Sequence, residues 1–581
     1  MFTGLKHPAD RPPRRAGLIV PSLSLRPANS KEDYGIGDYI AALDTIDAEH
    51  ELGIGVERGL PDTDPGPDDP SYFMGLIAGA LNPMHVGMRV DMVPGLTQAG
   101  LDSVDPMLLR SLRGDLINFK AVQQLKRSLM WQAYLRFCRD YIDTRDALAE
   151  EFHKFCSTWS WLGPYSLFRA LVDWERNPKW RTWDEMLRNY ESAKQWLGQH
   201  QDREEIMNIC RFWQYYQWVL YRQVFQVGLY AATKNVLRVG MLSYFTIADP
   251  WAYPHLYLQG RWGGAPPEPA FIGSRRTQEL GQFWDNAPYD FPAHAKEGFL
   301  WWHQRLSALM VGCHGVLFDH GIGLVRGQYA HPYPESEADG FVGLSREKAI
   351  AKVLAMTGRP DYARYFPLES DEGEENRRLC VEQGRARLGA IRDAARKAGA
   401  QLVLVEDLGK KPEWMGEVMA ELGLPGIIVT KYHRKENFGP FKPIEDVPYL
   451  SEATSATHDF PPQVEQYEDL VKAASQGDAG AQLELQRYFG FVGWRAEAPA
   501  SYTPELCHHH LWTHLRGPSG LTTFGIADVL RLRYKTHIVG QNDTWAWRRR
   551  IPKPLTGYLG TPEAKDFKQM VVDSGRSAKD E

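Results

Sequence analysis

Short runs of Val, Ile, Leu and aromatic residues recur along the chain. Each ends in polar residues, and most are followed by a longer stretch of helix-type periodicity. Seven of these runs read as strands: 16–25, 53–60, 239–247, 315–318, 401–405, 426–430 and a weaker one near Ser455. Strands alternating with helical patterns mark a parallel α/β fold. Between the second and third runs, residues about 117–235 carry helical periodicity only, in 122–141, 183–197 and 206–232. A parallel crossover needs only about a dozen residues, so this stretch is expected to be a helical insertion. Further helices are expected at 294–311, 346–356, 376–398, 412–422 and 463–474. The pattern fits a barrel with decorations. Residues 61–70 form a Pro/Asp/Gly loop, and 558–581 read as a solvated, partly disordered tail.

Composition narrows the setting. The 581 residues are 43% hydrophobic and 24% charged, the balance of a globular protein. With 67 basic against 73 acidic residues the net charge is −6, which offers no footprint for a nucleic-acid backbone. Six cysteines (Cys138, Cys156, Cys210, Cys313, Cys380 and Cys507) lie far apart with no C-x-x-C pair, so they read as reduced core thiols. The first 25 residues hold no signal-like apolar region, and no run reaches the ~18 apolar residues of a membrane span. These features point to a cytoplasmic protein with no membrane partner. The 19 Trp and 12% aromatic content suit either a cleft with flat apolar walls or a large aromatic core.

Three acidic residues stand out by position. Asp319 closes the run HGVLFD, Glu406 closes QLVLVE, and Asp459 follows the weakest strand in SATHD. In an α/β barrel the C-terminal strand ends form the active face, so such carboxylates converge although far apart in sequence. Paired carboxylates suit glycoside chemistry, one attacking the anomeric carbon and one serving as acid and then base. Taken singly, an acid at a strand end serves equally well as a helix cap or ion-pair partner. Cys507 to His510 with His514 carry metal-ligand types, His510 and His514 sharing a helix face, although a solvated His-rich turn accounts for them as well. Gly35-Ile36-Gly37 lacks the third glycine of a dinucleotide fingerprint, and Asp38 reads as a helix N-cap.

The same carboxylates sit in longer motifs. These are Asp319-His320, Glu406 to Gly409 followed by Leu424-Pro425-Gly426, and Thr457-His458-Asp459. Collinear with them run Tyr34 to Asp38, Gly264 to Pro267, Gly281-Gln282 with Trp284, Asn286, Pro288 and Tyr289, then Trp301-Trp302 with Arg305, and finally Trp545, Trp547 and Arg548. In this order they resemble the amylomaltase family, the 4-alpha-glucanotransferases or disproportionating enzymes of glycoside hydrolase family 77. The resemblance implies a single catalytic (β/α)8 TIM barrel over 15–550 with large, mainly helical insertions, acting on malto-oligosaccharide or α-glucan without cofactor or metal. It implies Asp319 as nucleophile, Glu406 as acid/base and Asp459 as the third carboxylate, with the retaining pair ~5–5.5 Å apart. It implies His320, His458, Tyr72 and Trp284 as sugar contacts.

The chain also departs from the family. Leu317 stands where the family has an arginine two residues before the nucleophile, Ile322 replaces a second arginine, and Phe460 replaces the asparagine after the THD triplet. The expected function is therefore 4-alpha-glucanotransferase by retaining double displacement, with a catalytically impaired glucan-binding protein or a retaining hydrolase as alternatives. Without its arginine, Asp319 is expected to hold its proton to higher pH, unless Arg326 or Lys431 reaches the site.

Overall fold

Eight parallel strands close into a barrel in this computed structural model, which describes residues 14–580 apart from 68–72, 74, 259–261, 266–281, 284–285, 326–329, 332–372, 410, 437–438, 534–536, 539–545 and 548. The strands are β1 (Arg15–Val20), β2 (Val56–Gly59), β3 (Leu237–Leu242), β4 (Gly315–Phe318), β5 (Leu402–Val405), β6 (Gly426–Val429), β7 (Ser451–Thr454) and β8 (Leu521–Gly525). Around the barrel they run β1–β8–β7–β6–β5–β4–β3–β2. The architecture is the expected (β/α)8 TIM barrel, and seven of its strands fall on the seven predicted runs. Sequence reading missed β8, whose LTTFG centre is polar. Both threonines are fully buried, and the Thr523 hydroxyl donates to the Glu452 carboxylate at 2.6 Å.

Period-two alternation decides what each strand contributes. Leu317 of β4 and Leu404 of β5 face the barrel interior with Val239, Met241, Ile427 and Val429. Their neighbours Val316, Phe318, Val403 and Val405 pack outward against helices. β4 pairs with β5 in the register Leu317↔Leu404 and Phe318↔Val405. The next inward positions, just past the strand ends, are Asp319 and Glu406. Elsewhere the interior holds an ion pair across the barrel, Arg58 Nε to Glu452 Oε1 at 3.1 Å, both side chains almost wholly buried.

Helix α1 (Tyr39–Leu52) starts at Asp38, whose carboxylate accepts from the Ile40 and Ala41 N–H groups as expected of an N-cap. Between β2 and β3 stand α2 (Phe119–Phe137), α3 (Ala147–Thr158), α4 (Leu162–Glu175), α5 (Tyr190–Gln199) and the 31-residue α6 (Arg203–Thr233). Their shared core takes much of the aromatic excess, including Trp161, Trp183, Trp213, Trp218 and Trp251. The loop leaving β2 is tied to this layer through buried Asp64, which accepts from the Tyr165 hydroxyl at 2.7 Å and pairs with Arg169. The Arg169 guanidinium lies 3.9 Å from the Trp213 ring centroid.

Several expectations need correction. The C-terminal segment is not a solvated tail: helix α7 (Pro562–Asp573) buries Phe567, Met570 and Val571, and fully buried Arg576 donates to the carbonyls of Leu515, Gly517 and Ser519. Its polar residues face outward at helical spacing, which made a docked helix read as a tail. The His-rich segment is a helix, Pro504–Leu515, rather than a turn. His510 and His514 are buried in it with ring centroids 4.7 Å apart, while His508 meets Asp566 at the surface. The helix expected at 346–356 lies outside the described residues. Among the described residues no helix is long and apolar enough to cross a membrane.

Candidate active site

Asp319 and Glu406 follow adjacent strands directly, and backbone bonds lock the two ends together. The Asp319 N–H donates to the Leu242 carbonyl at 3.1 Å, the Glu406 N–H to the Phe318 carbonyl at 2.8 Å, and the Gly321 N–H to the Glu406 carbonyl at 2.8 Å. A Cβ on Gly321 would lie 2.2 Å from Val405 Cγ1 and 2.7 Å from the Glu406 carbonyl oxygen, so only glycine lets the turn lie on β5. His320 between them takes a left-handed conformation at φ 49°, and its N–H donates to Glu406 Oε2 at 2.7 Å. A strained residue held by such bonds is typical of a functional turn. On the other side of Glu406, Asp407 accepts from the Ile427 N–H at 2.9 Å and from Lys411. Its carboxylate fills the space a Cβ on Gly426 would occupy, 2.6 Å away. The Glu-Asp and Pro-Gly motifs, twenty residues apart, are thus one interlocked unit.

The carboxyl groups of Asp319 and Glu406 are hydrogen-bonded to each other. Two carboxyls removed from water avoid a second charge by sharing one proton. Burial pushes Asp319 up to about 6, while the bond from Glu406 and the N–H groups of Tyr244 and His320 hold it down. Burial together with the charge on Asp319 drives Glu406 well above the usual carboxylate range. The electrostatic field of Asp459 reaches both and raises both. Both carboxyls are thus held to higher pH than a free carboxyl, Glu406 more strongly than Asp319.

Asp459 sits five residues past β7, partly exposed, with His458 Nε2 3.4 Å from its Oδ1. The His458 ring stacks on Phe73 at 5.7 Å. The His320 ring meets Tyr244 edge-on at 5.1 Å, and burial lowers its pKa to about 4, so it is a neutral imidazole at pH 7. The structure therefore brings Asp319, Glu406, Asp459, His320 and His458 to one end of the barrel. Tyr72 and Trp284 lie outside the described residues, as do Trp545, Arg548 and Arg326. Lys431 follows β6 but donates to Gln466 Oε1 at 2.8 Å and lies 4.8 Å from the Phe460 ring centroid.

Sequence reading missed Tyr244 and Phe73. Tyr244 supplies an N–H to the Asp319 carboxylate, and its hydroxyl donates to the Gly323 carbonyl at 3.0 Å. Its place two residues past a barrel strand was the available signal.

Comparison with known proteins fits this geometry. The family model described as 4-alpha-glucanotransferase, glycoside hydrolase family 77, matches residues 20–556. A 4-alpha-glucanotransferase of Chlamydia pneumoniae is 24% identical over 479 residues, covering 81% of this chain and 79% of that protein. The chloroplastic/amyloplastic 4-alpha-glucanotransferase of Solanum tuberosum is 28% identical over 316 residues, 52% of this chain and 50% of that one. Among solved structures, the amylomaltase of Streptococcus agalactiae in complex with acarbose superposes with a TM-score of 0.73 at 17% identity. That match covers 97% of this chain and 100% of the other. The amylomaltase of Corynebacterium glutamicum gives 0.71 at 17% identity, covering 96% and 75%. These two likenesses concern the fold.

Proposed function

The chain belongs to glycoside hydrolase family 77, the 4-alpha-glucanotransferases, and on that premise we propose that it moves α-1,4-glucan segments between malto-oligosaccharides with Asp319 and Glu406 as the reacting pair. The observation that carries this reading is the hydrogen-bonded pair of buried carboxyls at the ends of adjacent strands, with proton affinities set apart. Paired groups whose environments separate their titrations are the usual mark of divided acid and nucleophile roles.

In the first half-reaction the ionised Asp319 attacks the anomeric carbon while Glu406 gives its proton to the departing glycosidic oxygen. The C–O bond to the leaving glucan breaks and a β-glycosyl ester on Asp319 forms. In the second, Glu406, now a carboxylate, takes the proton of an acceptor hydroxyl, which attacks the ester carbon and releases Asp319. Net retention follows from two inversions. A sugar oxygen entering between the two carboxyls replaces Asp319 as the partner of the Glu406 proton, which separates the pair for attack. Asp459, the neutral His320 and His458 orient sugar hydroxyls as hydrogen-bond partners. Tyr72 and Trp284 belong to the same proposal as sugar contacts, Tyr72 on the donor side. Transfer wins over hydrolysis when a bound acceptor hydroxyl outcompetes water by its effective concentration.

The test is chemical trapping. Incubation with a 5-fluoro-glycosyl fluoride of the α-gluco series, which slows the second step, should leave a mass increment on the peptide containing Asp319. A label on another carboxylate would refute the assignment.

A further inference from the structure

A buried guanidinium stands one peptide away from Asp319. Arg305 lies on the helix Leu300–Leu309, 3% exposed, with its guanidinium 5.1 and 5.7 Å from the ring centroids of Trp301 and Trp302. Its Nη2 donates to the Ser243 carbonyl at 2.5 Å and to the Ser243 hydroxyl at 3.4 Å. Its Nη1 donates to the Tyr244 carbonyl at 3.4 Å and to the Tyr289 hydroxyl at 3.2 Å. The Tyr289 hydroxyl in turn donates to the Tyr244 carbonyl. Among the described residues the hydrogen bonds of Arg305 all end on neutral oxygens. Its field also reaches Asp249, which burial pushes up and which the Thr246 hydroxyl, the Ala78 N–H and Arg305 hold down.

The peptide that receives the shortest of these bonds is the one that serves the carboxylate. Ser243 contributes its C=O, which accepts from the guanidinium, and Tyr244 its N–H, which donates to Asp319. The same turn is tied to Asp319 a second time, because the Asp319 N–H donates to the Leu242 carbonyl at 3.1 Å. A charged donor makes the stronger kind of hydrogen bond and polarises the peptide that accepts it, so the N–H at the far end donates more strongly. An N–H aimed at a carboxyl group favours its ionised form. Leu317 beneath Asp319 brings no charge of its own, so this cation's influence arrives through the backbone.

We propose that Arg305 is a positioning residue for the nucleophile: it fixes and polarises the peptide between Ser243 and Tyr244 so that its N–H stays on the Asp319 carboxylate. The proposal rests on the reading of Asp319 as nucleophile. Buried behind that peptide, Arg305 does not meet the sugar, so its replacement should change the reaction step and its pH dependence more than sugar binding.

The pH dependence of labelling by the 5-fluoro-glycosyl fluoride follows the first half-reaction alone. Arg305→Lys keeps a positive charge near the Ser243 carbonyl, whereas Arg305→Gln keeps a donor without charge. Glu406 after β5, Asp459 after β7 and the His320 N–H, the other groups that face Asp319, are the same in both. The Gln protein should shift the acid midpoint up by about one unit, which slows labelling about fivefold at pH 6. The Lys protein should keep its midpoint within about 0.3 units of wild type, and both should bind the reagent within about twofold of wild type. A role confined to packing would lower the stability of both variants and leave both midpoints in place. That result overturns the proposal, as does an equal shift in both. Where Arg305→Gln does not fold, Tyr289→Phe decides. It removes only the hydroxyl between Arg305 and the Tyr244 carbonyl and should raise the midpoint, and an unmoved midpoint overturns the proposal. A label on a carboxylate other than Asp319 would strike the proposed mechanism and this inference with it, whereas an Asp319 label with unmoved midpoints strikes the role of Arg305 alone.

Discussion

Leu317 and Asp319 share the inward side of β4, so the residue two before the carboxylate lies beneath it and sets its surroundings. Here that residue is an apolar side chain wholly removed from water, and Asp319 is pushed up to about 6. Because only the carboxylate can attack, the acid limb of kcat/KM is expected near pH 6, and Leu317→Arg should move it ~1–3 units lower. A pH–rate profile of the two proteins checks this. An unmoved limb in a folded arginine variant would mean that another group controls it. The same shift has a consequence for stability. The unfolded chain releases this proton near 3.8 and the folded one near 6, so across that window the folded state binds more protons. Stability therefore falls as pH rises through the window, and the loss persists at neutral pH. Asp319→Asn should accordingly stabilise the protein at pH 7 by up to about 3 kcal/mol and do little at pH 4, read by denaturant unfolding at both. The same variant, and Glu406→Gln, should each cut kcat/KM by more than ~10³-fold, with the double variant scarcely worse, since the two act as a unit. Retention of a tenth of wild-type activity by either would remove that residue from the mechanism.

The turns after β4 and β5 fit together as a pair, and their glycines are part of the fit. Gly321→Ala would drive a methyl into Val405 and the Glu406 carbonyl. The expected result is a fall in kcat of ~10²-fold, since a shift near 1 Å at a reacting group is worth that much. A variant with wild-type kcat would show that the turn tolerates displacement. This level also shows what the sequence could and could not say. The β4 and β5 runs are apolar on both faces, outward onto helices and inward into the barrel, and so are legible as strands ending on acids. β7 and β8 carry Glu452 and Thr523 inward, where a buried ion pair with Arg58 satisfies them. That satisfaction depends on a strand, β2, almost 400 residues away in sequence, and no local pattern reports it. Hence β8 went unread and β7 read weakly. The site was legible because its carboxylates close strands inside collinear motifs. Tyr244 was not, since its contribution to Asp319 is a backbone N–H that any residue type supplies.

At the scale of the molecule, the C-terminal helix α7 closes the barrel's outer layer rather than trailing from it. Phe567, Met570 and Val571 join the core made by β1, α1 and β8, and Arg576 secures three carbonyls around β8. Truncation after residue 560 should cost at least about 4 kcal/mol, given ~1.5–3 kcal/mol for each large apolar side chain buried. Denaturant unfolding of the truncated protein checks it, and unchanged stability would mean that the helix is dispensable. The long insertion between β2 and β3 holds the loop after β2 through Asp64, while the segment after β3 passes from Asp319 to lie beside α3 and α5. Barrel and insertion thus meet along the two segments that leave neighbouring strands beside the carboxylates. The central claim is that these carboxylates pass a glucosyl chain to another sugar. Incubation of the purified protein with maltotriose, followed by separation of the products by length, tests it most directly. A ladder of longer malto-oligosaccharides accompanied by glucose is the predicted result, and maltotriose left intact or degraded only to shorter sugars would contradict it.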